Sequence, residues 1–462
     1  MTEKIQSKIR RENKFCPKIV FYTSGPWIFR ATSIGYLYEI AQVYPVVLLA
    51  EELDFETEEV LKDKELFPKL GEIIPVRQFT GPKMNFFAKN RYFCSLAKDI
   101  IQHHKPDIVI LVTDIYPFDL YLTRFAKRIN AITIILPVAL HAVELKQVAK
   151  KVDITNAYFK LPPFLPFSFR LFFIKLRKYL GYFLYNWIMP LMVGELPFWG
   201  KSSIALYSPS GLRADYLITY SKQDYDLSIK EGVPAEKLYI LNYPLKRQAT
   251  RKFFERAYFL NSRRKYKTDT KTLTLLFPCE KIGFRRSDYS IISEEEMQKN
   301  IIKIITLITK ILKGWRVFIK LHPNAQIGKE LEKTLNSISD QVKITNPSDP
   351  VDRYIEISDV IIASAEPSTA IFTASLQCPD KPIISLDFHH ELSGDYYKDF
   401  EGIEYIDSEK NFINILKLIR DNKYKKKQGE LKKEELREKE FLNTVELLEY
   451  LFQKNVQKNK SL

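Results

Sequence analysis

Short apolar runs recur along this chain in a rhythm that few folds can accommodate. Residues 18–23 (KIVFYT), 44–50 (YPVVLLA), 107–113 (DIVILVT), 131–138 (AITIILPV) and 215–221 (DYLITYS) are nearly continuous apolar stretches rather than alternating ones. Parallel strands read this way when helices cover both faces of their sheet. A helical stretch from about residue 32 to 42 separates the first two runs, and strand, helix, strand opens a parallel sheet. The rhythm returns at 273–277 (LTLLF), 316–321 (RVFIKL), 359–364 (DVIIAS) and 381–386 (KPIISL), with helical stretches at 297–312 and 329–339. Between the two series lies a strongly basic stretch, residues 245–270. A chain of 462 residues exceeds one ordinary core. The expected fold is therefore α/β, with two doubly wound Rossmann-like domains facing a cleft. Residues 1–244 form the first, 245–270 a linker, 271–420 the second, and 421–462 a charged C-terminal helix. In that tail, residues 425–440 are crowded with Lys and Glu and read as a solvated face or an interaction tail.

Residues 155–208 break the pattern with an aromatic-rich, proline-bearing insertion carrying Lys160, Arg170, Lys175, Arg177 and Lys178. Basic side chains can bury their stems and lift their charges, so residues 169–192 can lie on an anionic membrane surface with Tyr179 and Trp187 at headgroup level. The same stretch can equally pack onto the first domain or a second subunit. No run of ~18 apolar residues occurs, so a spanning helix is not expected. The charged start of the sequence (MTEKIQSKIRRENKF) lacks a signal-like apolar stretch. The expectation is a cytoplasmic protein at the inner face of the cell membrane.

The balance of 71 Lys and Arg against 56 Asp and Glu, +15 overall, favours anionic ligands. It does not point to nucleic acid, because the basic residues are dispersed and no recognised module is present. Cys16, Cys94, Cys279 and Cys378 are widely separated and read as reduced thiols. No HExxH, DxD or CxxC arrangement is present as a metal site, and no metal site is expected. The glycines near Gly25 and Gly35 do not make a GxGxxG fingerprint, which argues against a dinucleotide enzyme.

Ligands of open α/β sheets sit at the carboxyl ends of strands, and two such ends carry chemistry. Lys320-Leu321-His322-Pro323-Asn324 closes the RVFIKL run. Strand alternation puts Lys320 and His322 on one side, a cation and an imidazole that could meet a phosphate. Lys320 reads equally well as a surface lysine. Ser364-Ala365-Glu366-Pro367-Ser368-Thr369 closes the DVIIAS run. Pro367 suits a first helical turn, whose free N–H groups join the hydroxyls of Ser368 and Thr369 as an anion site. Glu366 can accept from ribose hydroxyls. An ordinary helix cap reads the same way.

The two motifs in this order, with Ser358-Asp359-Val360 opening the second strand, resemble the donor-binding half of GT-B glycosyltransferases. The resemblance extends to Ala214-Asp215-Tyr216-Leu217-Ile218-Thr219-Tyr220-Ser221 and to Asn242-Tyr243-Pro244, which look like the end of a GT-B N-domain. It is strongest toward bacterial polysialyltransferases and capsule transferases that use CMP-sugars, and toward CDP-glycerol glycerophosphotransferases. It implies that His322, with Pro323, contacts the donor phosphate and that Ser368 and Thr369 hold it from the helix terminus. Ser364 and Glu366 would lie against ribose or base, and Lys320 would assist. The Glu366-Pro367 pair departs from the simple Ser/Thr motif of those enzymes and leaves the nucleotide open. No cofactor is implied beyond the nucleotide-activated sugar, which is substrate; the acceptor would be a glycan or lipid-linked.

An acceptor hydroxyl must lose its proton, and the base is expected from the first domain. His141, Asp114 and Glu39 are the candidates; each also has an ordinary reading, as structural histidine, helix cap and exposed helix position. A CDP-alcohol phosphotransferase, an epimerase of the type acting on UDP-N-acetylglucosamine, which also carries an HPN-type sequence, and a non-catalytic scaffold of a glycan-assembly complex are the alternatives.

Overall fold

The computed structural model describes residues 16–23, 33–51, 53, 55–76, 86–112, 117–137, 213–220, 222–230, 233–241, 250, 252–253, 256–257, 270–277, 294–321, 328–347, 349, 351–364, 370–371, 374–375, 378, 380–386, 388, 402–425, 439–441 and 443–460. They divide into two compact units. One comprises Met1–Val138, Gly181–Pro244 and Leu436–Leu462, the other Ala139–Leu180 and Leu245–Glu435.

In the N-terminal unit the elements are β1 (Ile19–Thr23), α1 (Ile34–Val43), β2 (Val46–Ala50), α2 (Phe55–Lys62), β3 (Leu70–Pro75), α3 (Phe86–His104), β4 (Ile108–Leu111), α4 (Pro117–Arg128), β5 (Ile132–Ile135), β6 (Tyr216–Thr219), α5 (Lys222–Lys230) and β7 (Leu238–Leu241). The C-terminal unit contains β8 (Thr272–Phe277), α6 (Glu294–Ile311), β9 (Arg316–Leu321), α7 (Lys329–Ile338), β10 (Val342–Ile344), α8 (Val351–Ile357), β11 (Val360–Ser364), β12 (Ile383–Leu386), β13 (Ile403–Ile406) and α9 (Glu409–Arg420). The chain then returns to the first unit with β14 (Glu440–Phe441) and α10 (Thr444–Lys460).

Both sheets are parallel between all the strands they pair. The first runs β14-β7-β6-β5-β4-β1-β2-β3 and the second β10-β9-β8-β11-β12-β13. In each, the first strand of the unit lies inside the sheet and successive strands extend away from it on either side, which is the doubly wound order. The central strands β1, β4, β5 and β12 are buried at every position, as near-continuous apolar runs require. At the edge, β3 is mostly exposed and ends on Pro75, a residue that edge strands tolerate. The helices leading into β4, β5 and β9 end near a residue in the left-handed region: Lys105, Asn130 and Gly314, the last at φ +81°.

Three aspartates pin strand entries. Asp107 accepts from the Lys18 N–H at 2.8 Å, Asp359 from the Thr272 N–H at 2.7 Å, and Asp215 from the Thr133 N–H and hydroxyl at 2.9 and 2.7 Å. They sit at the amino ends of the strands, away from where ligands bind.

The segment expected to form a separate charged helix behaves differently. Within it, β14 adds a parallel strand beside β7, and α10 buries Leu447, Leu448 and Leu451 at 0% exposure. Tyr44 donates to Glu449 at 2.8 Å, and Lys454 donates to the Tyr239 hydroxyl at 2.6 Å. Apolar spacing along one face of α10 decides the outcome, and Glu449 and Lys454 flank that face with bonds to the first unit.

Candidate functional site

In the C-terminal sheet β8 lies between β9 and β11, and the strand order reverses between β8 and β11. Ligands of doubly wound sheets bind outside the carboxyl ends of the strands at such a reversal. Lys320 and Leu321 end β9 and Ser364 ends β11, so both motifs leave the same end of one sheet, on either side of β8. His322, Pro323, Glu366, Ser368 and Thr369 lie outside the described residues. Ser364 is placed through its backbone, paired with Leu386.

Lys320 is not a surface lysine. It is 3% exposed, and its Nζ donates to the Leu321 carbonyl and, at 3.1 Å, to the Pro347 carbonyl. Alternation along β9 turns Phe318 and Lys320 to one face, where Phe318 meets the Tyr354 ring of α8 at 5.3 Å. Tyr354 in turn donates to Asp349 at 2.7 Å. Burial pulls the Lys320 ammonium down to about 8, while the charges of Asp349 and Asp352 act in the opposite direction. A lysine held this way braces the end of β9.

Asp114 and His141, the other two candidates for the base, lie outside the described residues. Glu39 is half-buried in the middle of α1 rather than exposed, which corrects its ordinary reading. Its Oε2 accepts from the Thr444 N–H at 3.0 Å and the Thr444 hydroxyl at 2.6 Å, anchoring the start of α10.

Sequence reasoning passed over a polar group at the carboxyl end of the first sheet. Tyr22, near the end of β1, donates to Glu51 at 2.6 Å. Its phenol is raised well above the ordinary value, first by burial and then by the negative charges of Asp119 and Glu51. Phe118 packs edge-on against it at 5.0 Å. The buried side chains of Asn90, in α3, and Thr123, in α4, have no hydrogen-bond partner. The only signal for this group was a tyrosine near the end of a largely apolar run, followed at the next strand's exit by an acid.

No family model matches the sequence, and no curated protein matches it. Solved structures do match in fold. A UDP-N-acetylglucosamine 2-epimerase from Rickettsia bellii aligns over 97% of this chain and 99% of its own, with a TM-score of 0.52 and 11% identity. The UDP-GlcNAc 2-epimerase from Methanocaldococcus jannaschii aligns over 94% and 99%, with a TM-score of 0.50 and 12% identity. The chain has the GT-B fold. At this identity the likeness is one of architecture.

Among the described residues, no helix is long and apolar enough to cross a membrane. Nor does any group of three acidic, histidine or cysteine side chains among them offer a metal site. The triplet Asp224-Tyr225-Asp226 has the D-x-D spacing, but it lies within α5, where Asp224 is buried and Asp226 pairs with Lys222. Cys16, Cys94 and Cys378 are free thiols. The aromatic basic insertion at 155–208 lies outside the described residues.

Proposed function

We propose that this protein is an enzyme that binds a nucleotide-activated sugar at the carboxyl ends of β8, β9 and β11 and transfers the glycosyl group to a surface-glycan or lipid-linked acceptor. One observation carries the reading: the two motifs with phosphate-binding chemistry leave the same end of a doubly wound sheet, next to its strand-order reversal. His322, a helix-terminal turn and the hydroxyls of Ser368 and Thr369 stabilise the charge that develops on the departing nucleotide. Ser364 and Glu366 lie against the ribose or base. Asp114 or His141 takes the acceptor proton. The basic insertion at 155–208 and the +15 charge hold the enzyme against an anionic membrane where its acceptor is made.

A second reading is a 2-epimerase of nucleotide sugars, and the names of the matched structures favour it. The two readings part in their products. A transferase releases free nucleotide in proportion to acceptor, whereas an epimerase leaves the nucleotide–sugar bond intact and changes one stereocentre. Thermal shifts with CMP, CDP, UDP and GDP and their sugar conjugates identify the ligand, because binding raises the melting temperature as concentration exceeds Kd. Stabilisation by one nucleotide, followed by nucleotide release with acceptor, supports transfer. Stabilisation by none of them refutes both readings and leaves a scaffold.

A further inference from the structure

The β9 end contains a buried cation that neither reading above uses directly. A lysine costs free energy to bury, and it persists only where its donors are taken up. Lys320 spends them on two main-chain carbonyls, of Leu321 and Pro347, 27 residues apart in the case of the longer tie. One carbonyl belongs to the last residue of β9. The other lies in the connection between β10 and α8, which is itself fastened to the sheet by the Thr345 N–H donating to Ile319 at 3.0 Å. Tyr354, packed edge-on against Phe318, holds Asp349 of the same connection.

We propose that Lys320 is a positioning residue of the nucleotide site: by tying the Leu321 carbonyl to the Pro347 carbonyl it fixes the direction in which the chain leaves β9 toward His322. This rests on the nucleotide-binding reading and assigns Lys320 a role behind the site, in place of the direct phosphate contact that its residue type suggested. Asp349 from the connection, Asp352 from α8 and the Tyr354 hydroxyl on Asp349 are the polar groups that accompany it. The lowered ammonium fits an interior post better than a solvent-facing anion contact.

The test uses the full chain with Lys320→Met, which keeps the length of the stem and removes the donors. Three quantities are read: the melting temperature, local hydrogen exchange over residues 321–327 and 345–349, and the Kd for UDP or whichever of CMP, CDP and GDP binds. The expected result is a folded protein with faster exchange confined to those two segments and nucleotide affinity weakened ~10- to 100-fold, as for a site displaced by about an ångström. With a substrate that is turned over, KM rises while kcat stays within about twofold. Should Lys320→Met not fold, Lys320→Gln, whose amide still reaches one carbonyl, is measured in the same way. Wild-type exchange and affinity in the folded variant overturn the proposal while leaving the functional reading intact. A wild-type protein that binds no nucleotide defeats the functional reading, and the exchange data alone then decide whether Lys320 braces the β9 exit. Affinity lost without local loosening also overturns it, in favour of direct contact.

Discussion

Replacing Leu447 and Leu451 by alanine tests how far the N-terminal unit depends on the last residues of the chain. The two leucines are one helical turn apart on α10 and each is 0% exposed. A buried leucine truncated to alanine costs ~2–5 kcal/mol, according to how well the cavity collapses. Neighbouring cavities merge, so the pair is expected to cost about 5 kcal/mol rather than the full doubled figure. For a unit of this size, ~1 kcal/mol moves the melting temperature by about 2–4 °C, which gives a fall of roughly 10–20 °C. The assay is scanning calorimetry of the full chain, with limited proteolysis at temperatures between the two expected transitions. The N-terminal unit should melt early and be cut first, while the C-terminal unit keeps its wild-type transition. A fall of less than about 3 °C, or a fall shared equally by both transitions, would refute the claim that α10 is part of the first unit's core.

Three further outcomes are expected. Substituting His322→Ala should abolish the thermal shift given by the nucleotide that stabilises the wild-type protein; an undiminished shift would remove His322 from the phosphate site. Asp359→Asn weakens the bond to the Thr272 N–H and should cost the C-terminal unit ~1–2 kcal/mol in urea unfolding without changing nucleotide affinity, since it acts at the opposite end of the sheet. Lys320 titrates near 8 in the folded protein against 10.5 ordinarily, so between these values the unfolded chain holds more protons and the C-terminal unit gains stability as pH rises. Lys320→Met should lack that gain, of order 1–3 kcal/mol, and parallel pH profiles for the two proteins would contradict it.

The apolar runs located most interior strands to within a few residues, because a strand covered on both faces leaves an unbroken aliphatic signature. Those passed over are mainly the short or outer ones. β3 carries Gly71 and Glu72, β10 has three residues, β13 contains Glu404, and β14 has two residues. Their apolar content is too small to stand out, and position in the sheet, not composition, makes them strands. At the candidate site, strand alternation assigned Lys320 a face but could not show what covers it. Pro347, Asp349 and α8 arrive from the connections that follow, and only the packed structure brings them over β9. Glu39 illustrates the same limit: its partner Thr444 is 405 residues away.

The return of the chain to its first unit has a consequence for biosynthesis. Everything from β8 to α9 must be made before β14 and α10 exist. At ~5–20 residues per second, the nascent N-terminal sheet waits on the order of ten to forty seconds for its final strand. Throughout that interval β7, Leu-Tyr-Ile-Leu, is an unpaired edge of the kind that recruits other strands. The later unit can therefore close first, and a message truncated shortly before its end would yield a protein with one finished unit and one adhesive one.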